Sequence, residues 1–183
     1  GNRGDELVHE DSPPGEGFLA EVCREWEAAV GPIEKKMRVV KIRTGMVLSS
    51  RGGALARMLP PFKLGLGGKL GSGQQYMSWV TLDDLVQIIE FALNNRAVSG
   101  PVNAVAPHAV TNTQFTRTVG KVLRRPTIFF VPAFVLKLIL GEMAEEMLLS
   151  SLRAHPSQLE KHGFAFTHPD LTTALTDLLS RRN

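Results

Sequence analysis

Cysteine is nearly absent: Cys23 is the single one in 183 residues. An intrachain disulfide is excluded, and so is a metal site built from several thiolates. A lone thiol suits a reducing compartment, so a cytoplasmic protein is the expectation. Tyrosine is equally scarce. Tyr76 is the only one, and four residues on stands Val80. The Tyr-x-x-x-Lys pair, in which an ammonium one helical turn away depresses a phenol for proton transfer, therefore does not occur. Long apolar runs are lacking too. The longest, Ile128 to Leu140, contains Pro132 and Lys137 and is too short to cross a bilayer, so no membrane partner is expected. His9, His108, His155, His162 and His168 show no H-E-x-x-H spacing, and no metal is expected. No Gly-x-Ser-x-Gly marks a serine nucleophile. The net charge is only +3, with basic pairs at Lys35-Lys36, Arg124-Arg125 and Arg181-Arg182, and no nucleic-acid footprint stands out.

What is present is an ordinary globular composition, 43% hydrophobic and 21% charged, enough for a core. Residues 1–17 read as a loop. Residues 18–30 read as a helix with Phe18, Val22, Trp26 and Ala29 on one face, and Cys23 beside Trp26 is expected in the core. Met37 to Arg43 reads as a strand whose double Val suggests burial on both faces. Ala54 to Leu59 reads as a short helix closed by Pro60-Pro61. The apolar segment around Trp79 and Val80 runs into a helix over 84–94, with Thr81 as its N-cap and Asp84 three residues on. Pro101 to Ala106 is a second strand. Thr111-Asn-Thr-Gln114 is a capping box, and removing the Thr111 cap is expected to cost about 1 kcal/mol. Further on come a strand over 127–131, a helix with Pro132 at its first position, a helix over 142–151, an extended piece over 163–166 and a last amphipathic helix from Leu171. Strands and helices alternate over the first 106 residues, which argues α/β; the remainder is mostly helical.

Between residues 44 and 78 the chain is dense in glycine and long for a connection, which marks it as functional. Gly65-Leu-Gly-Gly-Lys-Leu-Gly-Ser-Gly73 fails the dinucleotide fingerprint, because Leu70 stands where a glycine is needed, and no Gly-Lys-Ser/Thr follows. A loop turning tightly against a ligand is the better reading. His108, just after a strand, is at a place where ligands approach in α/β sheets.

The ordered motifs Arg38-Val-Val-Lys-Ile-Arg-Thr-Gly-Met-Val-Leu48, Gly52-Gly-Ala-Leu55, Gly65-Leu-Gly-Gly68, Gly71-Ser-Gly-Gln74, Ser78-Trp79, Asp83-Asp84-Leu85, Gly100-Pro-Val-Asn103, Val131-Pro132-Ala133 and Gly163-Phe164 resemble the later half of an extended short-chain dehydrogenase/reductase. More narrowly, they resemble its epimerase-family group of NADP-dependent oxidoreductases, some of which carry a cell-division-inhibitor label. The resemblance implies late strands of a Rossmann-like parallel sheet over residues 1–107, with 44–78 as a substrate-side insertion. A small, mostly helical C-terminal substrate domain follows over 108–183. It implies that Thr44, Gly45, Met46 and Val47 lie near the nicotinamide end of NADP. Gln74, Gln75, Ser78 and Trp79 would line the pocket of a small-molecule substrate. The main phosphate-binding loop would lie in an earlier half that precedes Gly1. The strands near 37–43 and 101–106 would then lack sheet neighbours and leave unpaired edges.

Two departures from the broader superfamily accompany the resemblance. Aligning Glu27 with the family's glutamate puts Leu19 and Cys23 where Tyr and Lys usually stand. Met77 occupies the place of an arginine that grips the diphosphate in many sugar-nucleotide epimerases, and a thioether cannot replace a guanidinium fork. An oxidoreductase acting on a ligand other than a sugar nucleotide is the leading reading. A binding or regulatory protein that keeps the scaffold without the chemistry is the alternative. The helices over 132–151, rich in Leu and Met, have the composition to pair with a second copy.

Overall fold

The computed structural model describes residues 1–141 and 144–180, with the side chains of residues 139, 140 and 147 left aside. The expected helix start at 142 and the Arg181-Arg182 pair lie outside the described residues. Short strands and helices alternate through the chain, giving the α/β class expected.

Among the described residues four strand pairs are parallel. β1 (Leu7–Val8) pairs with β10 (Arg153–Ala154). β2 (Val40–Thr44) pairs with β7 (Gly100–Ala104), Thr44 opposite Ala104. The strands expected to lack neighbours thus pair with each other, while β2 has no second partner among the described residues. β3 (Met46–Leu48) pairs with β6 (Trp79–Thr81), and β4 (Gly68–Leu70) with β9 (Phe129–Val131). The one antiparallel pair in the described residues joins β5 (Tyr76–Met77) to β8 (Val110–Thr111).

The helices follow their local signals unevenly. α1 (Phe18–Ala29) forms where periodicity places it, but buries none of its side chains. Phe18 and Trp26 are 68% and 74% exposed, and Cys23 is exposed rather than in the core. Periodicity reports that a helix has an apolar face; it does not supply what covers that face. A separate turn, α2 (Gly31–Glu34), follows. β2 corrects a second expectation. Its residues are half-buried or exposed rather than buried on both faces, because only one neighbour covers its edge.

α3 (Gly53–Lys63) runs through Pro60 and Pro61 instead of stopping before them. The prolines remove two backbone donors, but Leu55, Leu59 and Phe62 bury on one face and hold the last turn in place. α4 (Leu82–Asn94) starts at Thr81, whose hydroxyl accepts the Asp84 N–H as the sequence implies. α5 (Asn112–Leu123) carries the expected capping box between Thr111 and Gln114. α6 (Ala133–Leu140) places Pro132 at its N-cap, one residue before the first helical position expected. A π-helical stretch, Ala144–Leu149, then α7 (Ser157–Lys161) and α8 (Leu171–Ser180) complete the chain. Residues 163–166 form no strand; they belong to the loop between α7 and α8.

Two buried clusters result. One gathers Leu48, Leu55, Leu59, Phe62, Trp79, Phe115 and the inner face of α8. The other joins β2, β6 and β7 to α4 through Val80, Val102, Ile88 and Leu159. Between them passes the strand that carries the site.

Candidate functional site

That strand changes partners at one residue. Up to Thr44 it is registered with β7; from Met46 it is registered with β6. Gly45 makes the exchange, donating its N–H to the Ala104 carbonyl at 3.2 Å, and the next N–H, of Met46, goes to the Ser78 carbonyl at 2.8 Å. A Cβ on Gly45 would stand 2.8 Å from both the Ser78 carbonyl oxygen and Val105 Cγ1. Only glycine leaves room here for both the Ser78 backbone and the Val105 side chain. The four residues expected at the cofactor therefore sit at the carboxyl end of β2, where open parallel sheets receive ligands. Thr44 is exposed, Gly45 half-buried, and the half-buried Met46 and Val47 pack against the first and second cluster respectively.

A polar knot braces this strand end. Arg43 donates through Nε and Nη2 to both oxygens of Glu27, at 2.6 and 2.8 Å, and through Nη1 to the Glu10 carbonyl at 2.9 Å. Hydrogen bonding to that guanidinium holds the Glu27 carboxyl below its ordinary range against a smaller opposing effect of burial. The buried Glu10 carboxylate accepts through Oε1 from the N–H groups of Asn103 and Gln158, while its Oε2 has no partner among the described residues. Asn103 in turn donates its amide to the His155 carbonyl at 2.9 Å. No local signal marks the bonding roles of Glu10 and Asn103. Their roles depend on partners 93 and 52 positions away.

The predicted pocket residues occupy a different wall. Gly71 and Gly73 take φ of 54° and 73°, as the tight loop requires. Gln74 is exposed. Gln75 is buried and donates its amide to the carbonyls of Leu70 and Leu148. Ser78 donates to the Leu152 carbonyl and accepts from Ala154 N–H. Trp79 is fully buried and its indole N–H reaches the carbonyl of His108, whose own side chain is exposed. Gln75, Ser78 and Trp79 thus spend their polar groups on holding the loop, and Gln74 is the one of the four whose side chain makes no hydrogen bond among the described residues. Met77 packs on the first cluster, its sulfur accepting from the Asn112 amide at 3.5 Å. Among the described residues no group of three or more His, Cys, Asp or Glu could hold a metal, and no helix is long and apolar enough to cross a membrane.

Parallel strand pairs alternating with helices, with a glycine-rich loop beside them, define a Rossmann-like α/β protein. Comparison with known proteins narrows this. Residues 131–178 match a domain of unknown function, DUF1731. The chain is 47% identical to epimerase family protein Mb2239 of Mycobacterium bovis over 176 residues, covering 96% of this chain and 58% of that protein. The crystal structure of human epimerase family protein SDR39U1 (isoform 2) with NADPH superposes with a TM-score of 0.93 at 35% identity, over 98% of this chain and 61% of that one. A nucleoside-diphosphate sugar epimerase from Corynebacterium glutamicum gives a TM-score of 0.77 at 40% identity, over 98% of this chain and 35% of that one. Over nearly its whole length the chain is similar to epimerase family proteins of the extended short-chain dehydrogenase/reductase kind, and it spans about three-fifths of the length of the first two relatives.

Proposed function

We propose that the chain forms the substrate side of an NADP(H)-dependent oxidoreductase, with Thr44 to Val47 beside the nicotinamide. The observation that carries this reading is the near-coincidence of its backbone with an epimerase family protein crystallised with NADPH. The residues fit the nicotinamide end. Thr44 offers an exposed hydroxyl, and Gly45 presents bare backbone at a strand end, a neutral surface suited to a carboxamide rather than a phosphate. When bound, the cofactor supplies the hydride. The chain's own residues orient the ring and the substrate and keep water from the strand end. The substrate in this reading is small and weakly charged or partly apolar, since Met77 replaces a diphosphate-gripping arginine and Gln74 is the one predicted wall residue whose side chain makes no hydrogen bond among the described residues.

Titration of NADPH into the full-length protein, followed by reduced-nicotinamide fluorescence, tests the reading. Saturable binding that Thr44→Val weakens about fivefold, through loss of one hydrogen bond, supports it. Absence of binding refutes it.

A second reading, a scaffold without chemistry, is favoured by one observation. Leu19 and Cys23 occupy the positions where the superfamily resemblance expects Tyr and Lys, and neither can relay a proton as that pair does. Reproducible NADPH oxidation with any member of a carbonyl panel excludes this second reading.

A further inference from the structure

A cleft of about 190 Å³ opens between α5 and the β4–β9 pair, and none of the eight predicted site residues lines it. Two cations face it, Lys69 from β4 and Arg117 from α5. Neither has a carboxylate partner among the described residues; the Lys69 ammonium lies 6.0 Å from the centre of the Phe130 ring. The hydroxyl-bearing residues Thr116 and Thr127 complete the polar wall. Thr116 is only 3% exposed, and its hydroxyl makes no hydrogen bond within the described residues. Thr113 is also there, but its hydroxyl is already given to the Gly73 carbonyl at 2.9 Å. Ile128 and Phe130 form an apolar lip, 81% and 55% exposed.

The cleft lies in a part of the sequence poor in acids. No Asp or Glu occurs from Lys35 to Leu82, nor from Phe91 to Gly141, and these two stretches supply both walls. They hold 15 of the chain's 21 Lys and Arg, so the mild net charge conceals a strongly basic half. Of these cations Lys69 and Arg117 line the cleft, while Lys41, Arg43 and Lys137 are paired elsewhere with Glu34, Glu27 and Glu145. A guanidinium and an ammonium without carboxylate partners, beside a hydroxyl that makes no hydrogen bond within the described residues, suit one occupant, an anion with several acceptor oxygens. The volume is below that of a pocket for a drug-sized ligand. It suits a headgroup, with the exposed lip left for a short apolar tail.

We propose that this cleft binds a small phosphate monoester carrying an apolar group. The phosphate oxygens accept from Arg117, Lys69 and Thr116, and the tail lies on Ile128 and Phe130. This site is separate in its residues from the nicotinamide reading and stands or falls without it.

Calorimetric titration of the full-length protein with butyl phosphate, inorganic phosphate and butyrate tests the proposal. Butyl phosphate is expected to saturate, to weaken as salt is raised, and to bind more tightly than inorganic phosphate. Butyrate is expected to bind at least about tenfold more weakly, lacking the third oxygen and the second charge. Arg117→Gln and Lys69→Gln, both at accessible positions, should each weaken butyl phosphate about tenfold with unchanged melting temperature. Thr116→Val should weaken it while preserving the side-chain shape. Absence of saturation, equal affinity for butyrate, or affinity indifferent to Arg117→Gln and Lys69→Gln overturns the proposal.

Discussion

His168 gives its backbone N–H to Asp84 Oδ2 at 3.0 Å, and its ring lies between that carboxylate and Asp177, whose Oδ2 is 3.1 Å from Nε2. The other Asp84 oxygen takes the Thr167 N–H at 2.8 Å, and Thr81 donates its hydroxyl to Oδ2 at 2.9 Å. One fully buried carboxylate thus holds the Thr81 cap of α4 and fastens the chain leading into α8. Asp84→Ala would leave these donors buried without an acceptor. A loss of about 3 kcal/mol in urea unfolding is expected. Asp84→Asn, which keeps one acceptor oxygen, should lose less. Equal losses for the two variants would show that volume rather than hydrogen bonding matters there.

Gly45→Ala is the corresponding test of the strand crossing. The added carbon meets backbone and a buried valine, neither of which can swing aside, so about 1–3 kcal/mol of stability should go. NADPH affinity should fall with it if the proposed function holds. A fluorescence titration at a temperature where the variant remains folded separates the two effects.

The Arg43–Glu27 pair makes stability depend on pH. Because the folded carboxyl titrates below its unfolded value, the stabilisation is complete above the ordinary glutamate range near about 4.3 and is lost as pH falls through the lower folded value. The Glu27 and Arg43 side chains are 28% and 38% exposed, so water screens the pair and its contribution is under about 1 kcal/mol. Melting temperatures of the wild type and Glu27→Gln should differ slightly at neutral pH and converge in acid. A gap that widened in acid would contradict the assignment.

At Glu10 the two substitutions should separate sharply. Glu10→Gln keeps a carbonyl for Asn103 and Gln158 and should cost little. Glu10→Ala removes the acceptor from two backbone N–H groups and should cost about 2 kcal/mol. Denaturation midpoints of the two variants decide it.

Much of the architecture was legible because its signals are local. Thr81 and Thr111 announce their helices through residues three positions on, and the face of α8 is written in its own spacing. The unforeseen elements are those that exist only through distant partners. Leu7 and Val8 become a strand because Arg153 and Ala154 lie alongside, and Gly68 to Leu70 because Phe129 to Val131 do. Pro60 and Pro61 obey a local rule that the burial of Leu59 and Phe62 overrides. At the site, Thr44 to Val47 could be named from a resemblance, but the need for glycine at 45 shows only when Ser78 and Val105 are in place. Gln75 and Ser78 looked like pocket polars because a sequence does not display which carbonyls a side chain will find.

α1 has twelve helical residues and no buried side chain. Little is lost when it comes undone, so its amides should exchange with deuterium far sooner than those of α8, whose Leu171, Ala174, Leu175 and Leu178 are locked inward. An exchange map of this protein should therefore show two helices of nearly equal length with very different lifetimes. The short-lived one is the helix whose Leu19 and Cys23 the resemblance aligns with the superfamily's Tyr and Lys.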